Sequence, residues 1–217
     1  MELIRVDTRH AYEILREKIT SLEIKPGQAL DISHWAAELD VSSTSVKEAL
    51  RLLAHDHLVE APPRGLFVAD LDMADLEKIS GVRLQLETYS AQQAARRRTE
   101  DDLVILRALC EEEAEDTRDL FELDHRFHQA IARAAHNQYL SNTLEHFYGL
   151  SKRLWYLALP HLDFLPRAVD SHIQLVQAIE DQDGEEAGRI MHAHIKNFYN
   201  KITEIITEKD LFDSRDD

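Results

Sequence analysis

Asp124 and His128 stand one helical turn apart in the stretch Leu120-Phe121-Glu122-Leu123-Asp124-His125-Arg126-Phe127-His128-Gln129-Ala130-Ile131. At helical period Leu120, Phe121, Asp124, Phe127, His128 and Ile131 share one stripe, so a carboxylate and an imidazole project side by side from an apolar face. His172 falls in line with Leu165, Val169, Val176 and Ile179, and His194 with Ala187, Ile190, Met191 and Phe198. Burying such groups is costly unless each finds a partner, and a cation shared among them is one such partner. Asp124, His128, His172 and His194 are therefore candidate ligands of a metal ion at the centre of a helical bundle. The competing reading of any single histidine is a core imidazole bonded to a backbone carbonyl. Three helices that each present one favour the metal.

Three imidazoles and one carboxylate suit a divalent transition ion (Zn, Ni, Co or Mn, with Zn or Ni favoured) and not Ca, which takes oxygen throughout. An octahedral ion would keep one or two positions for water or for an oxygen of a small acid. Arg83 shares a stripe with Leu76, Ile79, Leu86 and Ser90, so a guanidinium also points into the apolar interior. Two partners are open to it: the carboxylate of a bound effector, held by two parallel hydrogen bonds, or a protein acid such as Glu87 or Asp124. Trp155 and Tyr156 are candidates to line an effector pocket, against the plainer reading that they are core aromatics. His125, His136, His146 and His161 have no aligned partner and read as surface or core residues; Cys110 reads as packed in a helix.

The elements that must position these groups are helical. Six Gly and five Pro in 217 residues, 44% hydrophobic and 30% charged, describe a globular, helix-rich chain. The net charge of −16 excludes a general polyanion binder, so any nucleic-acid contact has to be local. No apolar run approaches the roughly 20 residues of a membrane helix, and the start of the chain carries no signal-peptide core. A single cysteine precludes an internal disulfide and suits the cytoplasm.

Residues 8–22 read as an amphipathic helix ended by Pro26-Gly27. A second helix is predicted over 33–39 with Asp31 or Ser33 as cap, and Asp40 sits where a left-handed C-cap belongs. Ser42, Ser43, Thr44 and Ser45 offer caps for a third helix reaching about His55. Residues 58–61 and 66–69 alternate as short strands around Pro62-Pro63-Arg64-Gly65. Three helices and a hairpin form a winged helix-turn-helix. Asp70-Leu71-Asp72 reads as a hinge. About six helices of 15 to 25 residues follow, with starts at Asp72, Thr99, Asn137 and Asp183, a break between Pro160 and Pro166, and an acidic tail over 210–217.

The pieces Pro26-Gly27-x-x-Leu30, Trp35-Ala36-x-x-Leu39-Asp40-Val41-Ser42, Val46-Lys47-Glu48-Ala49-Leu50-x-x-Leu53, Leu58-Val59 and Arg64-Gly65-x-Phe67-Val68 resemble the DNA-binding domain of GntR-family bacterial transcriptional regulators. The resemblance spans residues 10 to 70. Members usually carry Arg where Ser43 and Lys47 stand and Pro at Ser45, and Lys and Ser cannot give guanine the paired donors of Arg. The resemblance implies that Ser42, Ser43, Thr44, Ser45, Lys47, Arg51, Arg64 and Gly65 face DNA, with Lys47, Arg51 and Arg64 the chief cations. Residues 1–70 hold only 8 Lys+Arg against 12 Asp+Glu.

The second half resembles the FCD ligand-binding domain of the FadR-type branch of that family, through Asp124-x-x-Phe127-His128, Ser171-His172-x-x-Leu175-x-x-Ala178-Ile179 and Met191-x-x-His194-Ile195. In many such proteins an Asp and three His at these places hold a divalent metal, and the stripes select the same four residues independently. The expected architecture is mainly α: a winged helix-turn-helix over 1–70, then an all-helical, dimerising, metal- and effector-binding bundle over 71–217. The expected function is transcriptional regulation of a palindromic operator by a cytoplasmic homodimer, responding to a small carboxylate and without membrane contact. Two other readings stand beside it, a sensor for which the ion is the signal and an Asp/His₃ metalloenzyme. The second is weakened because no general acid or base lies beside the site.

Overall fold

In a computed structural model the chain is described over residues 6–161 and 168–209, apart from the side chains of Met73 and residues 168–170. The second proline of the expected 160–166 break, the stripe positions Leu165 and Val169, and the acidic tail lie outside the described side chains. The chain divides into two units, Met1–Asp75 with Gly149–Tyr156, and Leu76–Tyr148 with Leu157–Asp217.

The first unit carries α1 (Val6–Thr20), α2 (Ile32–Glu38), α3 (Ser43–His55) and the strands β1 (Val59–Glu60) and β2 (Phe67–Val68). Leu15 and Ile19 of α1 meet Val46, Leu50 and Leu53 of α3 and Trp35 of α2 in one core. Asp31 caps α2 by accepting from the His34 N–H at 2.7 Å. At the other end Asp40 takes φ 51, and the Val41 N–H reaches back to the Ala36 carbonyl at 3.1 Å, a Schellman ending. This turn fixes the angle between α2 and α3. Ser42 then caps α3, accepting from the Ser45 N–H at 3.1 Å.

The two strands pair antiparallel, Val59 opposite Val68 and Glu60 opposite Phe67, and Ala29 bridges to Phe67 from the third side. They are shorter than the alternation over 58–61 and 66–69 predicts. Pro62 and Pro63 have no N–H to give a ladder, so pairing stops before the turn. Gly65 in that turn sits at φ +140, open only to glycine. Arg153 of the 149–156 segment donates to the Ala69 carbonyl and Lys152 pairs with Glu17 at 3.1 Å, which ties the segment to this unit.

The remaining helices are α4 (Met73–Arg97), α5 (Glu100–Glu111), α6 (Thr117–Ala134), α7 (Gln138–Ala158), α8 (Ala168–Glu180) and α9 (Gly184–Glu208), with a 3₁₀ turn at Leu159–His161. Thr99 and Asp102 form the predicted capping box of α5, and Asp183 caps α9 through the N–H groups of Glu185 and Glu186. Asn137 accepts from the N–H groups of Tyr139 and Leu140 at the start of α7. At 12 and 13 residues, α5 and α8 are shorter than predicted. The acidic run that begins at Glu111 meets the negative end of the α5 dipole, and the chain breaks until Asp116 caps α6. Gly188 lets α9 press against α4: a Cβ there would stand 2.6 Å from Gln92 Nε2.

Candidate metal centre

Helices α6, α8 and α9 bring Asp124, His128, His172 and His194 together, one donor atom from each lying within 4.8 Å of every other. None of the four is more than 9% exposed. His172 Nε2 lies 3.2 Å from Asp124 Oδ1, His194 Nε2 3.9 Å from the same oxygen, and His128 Nε2 3.8 Å from Oδ2. The ring of His172 is stacked on Phe127 at 4.0 Å between centroids, which sets its plane.

Two observations test whether these residues suit an ion. Asp124 Oδ1 and His172 Nε2 are buried and face each other at 3.2 Å, yet neither makes a well-directed hydrogen bond, although buried polar atoms nearly always do. His128 Nε2 and His194 Nε2 face each other at 3.1 Å, so between two neutral imidazoles only one can donate. The outer nitrogens are engaged: His128 Nδ1 lies 3.1 Å from Glu87 Oε2 and His194 Nδ1 2.8 Å from Ser171 Oγ. An Nδ1–H given to Glu87 and to Ser171 leaves both Nε2 lone pairs pointing inward, as metal ligation requires. The donor set fits a divalent ion.

Burial and mutual charge shift the titrating groups of this cluster in both directions. Burial by itself raises the Asp124 carboxyl, but His128, His172 and His194 reverse this and hold it far below the usual range. Burial likewise opposes ionisation of Glu87, which His128 and Arg83 nevertheless hold down at about 2. Burial lowers His128, but Glu87 and Asp124 on either side outweigh it and raise the imidazole above its ordinary value. His194 is pushed down to about 3 by burial and by the charge on His128. Arg83 is depressed by burial, yet Tyr199 and Glu87 raise it overall.

Behind His128 lies a buried polar chain. Arg83 donates to Glu87 Oε1 at 2.5 Å and to the Tyr199 hydroxyl at 3.2 Å, and its guanidinium lies 5.4 Å from the Tyr148 ring centroid. Of the two partners open to Arg83 from the sequence, the structure brings it to the protein acid. A cavity of about 170 Å³ adjoins Glu87 and His128, lined also by His125, Gln129, Asn142, Glu145 and Tyr148. Another of about 560 Å³, between α8 and α9, is lined by Ser171, His194, Asn197 and Phe198 with Arg189 and Lys201.

Trp155 and Tyr156 belong to α7. They group with the first unit, where Trp155 is buried and Tyr156 lies under Lys152 Nζ at 5.3 Å. Sequence reasoning named Glu87 only as a partner for Arg83 and missed its contact with His128; it also missed Ser171 as a partner of His194. A buried i,i+4 pair at Arg83 and Glu87 beside Ser90 was the available signal. His125, read as unpartnered, stacks on Tyr148 at 3.4 Å and faces Glu145 Oε2 at 3.2 Å.

On the first unit, Ser42, Ser43, Thr44, Lys47 and Arg51 are exposed at the start and outer face of α3. Arg51 reaches Glu48 at 3.1 Å. Ser45 is buried and its hydroxyl meets Ser42 Oγ at 2.9 Å, a cap contact. Arg64 and Gly65 are exposed in the wing, with the Arg64 guanidinium 4.7 Å over the Phe67 ring.

Two family models match successive stretches of the chain. Residues 7–68 match the model of bacterial regulatory proteins of the gntR family, and residues 78–197 match the FCD domain. The chain is 28% identical over 203 residues to the HTH-type transcriptional repressor RspR of Escherichia coli, covering 91% of this chain and 89% of that one. It is 30% identical over 209 residues to the gluconate operon transcriptional repressor of Bacillus subtilis, covering 91% and 85%. Among solved structures, Escherichia coli McbR/YncC superposes with a TM-score of 0.81 at 20% identity, covering 94% of this chain and 99% of that one. A GntR regulator from Rhodococcus sp. gives 0.77 at 21%, covering 91% and 97%. FCD domains often bind metal, and GntR regulators bind DNA operators and commonly dimerise. Among the described residues no helix is long and apolar enough to cross a membrane. A winged helix-turn-helix joined to an FCD domain makes this chain a member of the GntR family, a transcriptional regulator and not an enzyme.

Proposed function

We propose that this chain is a cytoplasmic, homodimeric regulator of a palindromic operator, in which Asp124, His128, His172 and His194 hold a divalent transition metal that completes the site of a small carboxylate effector. The observation that carries the reading is the convergence of four donor atoms within 4.8 Å in a buried setting, two of the outer imidazole nitrogens being engaged by Glu87 and Ser171. Zn or Ni suits the set best. When bound, such an ion supplies Lewis acidity and one or two positions for a ligand oxygen. The cavity beside His194 gives a small effector room next to the donor set.

Two winged helices related by a dimer axis would present Ser43, Thr44, Lys47 and Arg51 to successive major grooves, with Arg64 on the flanking backbone. The effector changes operator affinity only as far as it binds two arrangements of the bundle unequally.

A mobility-shift titration tests the reading: operator alone, then with a chelator, then with restored zinc or nickel, each with and without a panel of organic acids. The expected outcome is a response to one acid that disappears with chelator and returns with metal. Operator binding that follows the metal with no acid present identifies the ion itself as the signal. A response to an acid that ignores the chelator contradicts the metal as part of the effector site.

A further inference from the structure

Glu87 is 3% exposed, sits on α4 rather than on any ligand-bearing helix, and touches two groups of opposite character. Its Oε2 lies 3.1 Å from His128 Nδ1 and its Oε1 2.5 Å from the Arg83 guanidinium. An isolated carboxylate at that depth is strongly disfavoured, and a salt bridge to Arg83 alone would satisfy it without involving α6. The second oxygen is instead directed at the one nitrogen of His128 that faces away from Asp124, His172 and His194. Arg83 is anchored in turn by the Tyr199 hydroxyl at 3.2 Å.

We propose that Glu87 is a positioning residue for the metal centre, fixing His128 as the tautomer with hydrogen on Nδ1 and its lone pair on Nε2, and that Arg83 serves to hold Glu87 in place rather than to capture an effector. This rests on the reading of Asp124, His128, His172 and His194 as metal ligands. A carboxylate bonded to the outer nitrogen of a ligating imidazole orients the ring and makes it a stronger donor, and loss of such a partner typically weakens metal binding about 10–100-fold. Helix α4 thereby becomes the fourth helix with a stake in the ion, alongside α6, α8 and α9. A small ligand entering the cavity of about 170 Å³ would meet Glu87 and His128 directly, on the side away from the other three ligands.

The test measures affinity for zinc alone, by competition with a chromophoric chelator, and the visible absorption of the cobalt(II) form. It uses the full chain as wild type, Glu87→Gln, the paired change Arg83→Met with Glu87→Leu, and His128→Ala. Glu87→Gln keeps an oxygen for Nδ1–H and is expected to lose about 10-fold in affinity, the paired change more, up to about 100-fold. Both should retain one metal per chain and show shifted cobalt bands. The paired change removes both charges together, so it leaves no unpaired buried ion to unfold the protein, and circular dichroism verifies the fold. Wild-type affinity and unchanged cobalt bands in the folded Glu87 variants, with metal lost in His128→Ala, overturn the role of Glu87 while leaving the metal centre standing. A wild-type chain that takes up neither zinc nor cobalt overturns the metal centre, and this assignment with it.

Discussion

His128 Nε2 and His194 Nε2 stand 3.1 Å apart, each ring held from behind by a different partner, Glu87 and Ser171. In the metal-free protein a proton must sit between two such nitrogens, since two lone pairs at that distance repel. Flanked by Glu87 and Asp124, His128 is the ring that carries it. Arg83, Glu87, Asp124 and a protonated His128 then balance in charge, which lets four ionised groups share an apolar interior.

Metal uptake must therefore release a proton from His128, because only the neutral imidazole ligates. Zinc affinity should fall as pH drops through the value of His128, which lies above the ordinary 6.5, and go on falling below it. Isothermal titration in buffers of different ionisation enthalpy measures the protons released, and close to one per ion is expected near neutral pH. A pH-independent affinity with no release would contradict the assignment.

Metal-free stability should also fall with acid. His194 is held near 3 against an ordinary 6.5, so in that window the unfolded chain binds a proton that the folded one refuses, and stability drops as pH falls through it. Asp124 and Glu87, both depressed, act in the same direction below the ordinary carboxylate range. His128 acts oppositely, its contribution being complete below 6.5 and lost as pH rises through its elevated folded value. Thermal melts of chelator-treated protein should therefore show a decline from about pH 6.5 toward pH 3, which added zinc partly offsets at the upper end. A flat profile across that range would be inconsistent with a buried His194.

Lys47 stands exposed on the outer face of α3. Lys47→Ala should weaken operator binding by about 1–3 kcal/mol if it reads a base edge, and relax sequence preference at one position. Footprinting against single-base operator variants measures this. An unaltered footprint would place Lys47 on a solvated face.

Ser42 caps α3 and its hydroxyl also engages buried Ser45. Ser42→Ala should cost about 1 kcal/mol of stability in the first unit through the loss of that cap. Denaturant unfolding followed by the fluorescence of Trp35, which is buried in the same core, reads it out.

Much of the architecture was legible because local chemistry and global pattern agree. Asp31, Asp40, Ser42, Thr99 and Asp183 mark helix ends by side-chain type alone, and each lies at such an end in the structure. The four candidate ligands were legible because a polar residue on an apolar stripe has no reason to be there without a partner. What escaped was pairwise. Glu87 reaches His128 across 41 positions, and no periodicity reports which helix faces which. The bridge from Ala29 to Phe67 was hidden for the same reason, being a single residue pair with no alternation around it. Trp155 and Tyr156 could be read as pocket or as core aromatics, with core the plainer reading, and no periodicity reports that residues 149–156 group with the first unit.

The central claim is that Asp124, His128, His172 and His194 share one ion. Elemental analysis of chain purified in the presence of zinc or nickel, beside the His128→Ala/His172→Ala variant, tests it most directly. One divalent ion per chain in the wild type and none in the variant is the predicted result. Equal metal content in the two, or none in either, would contradict it.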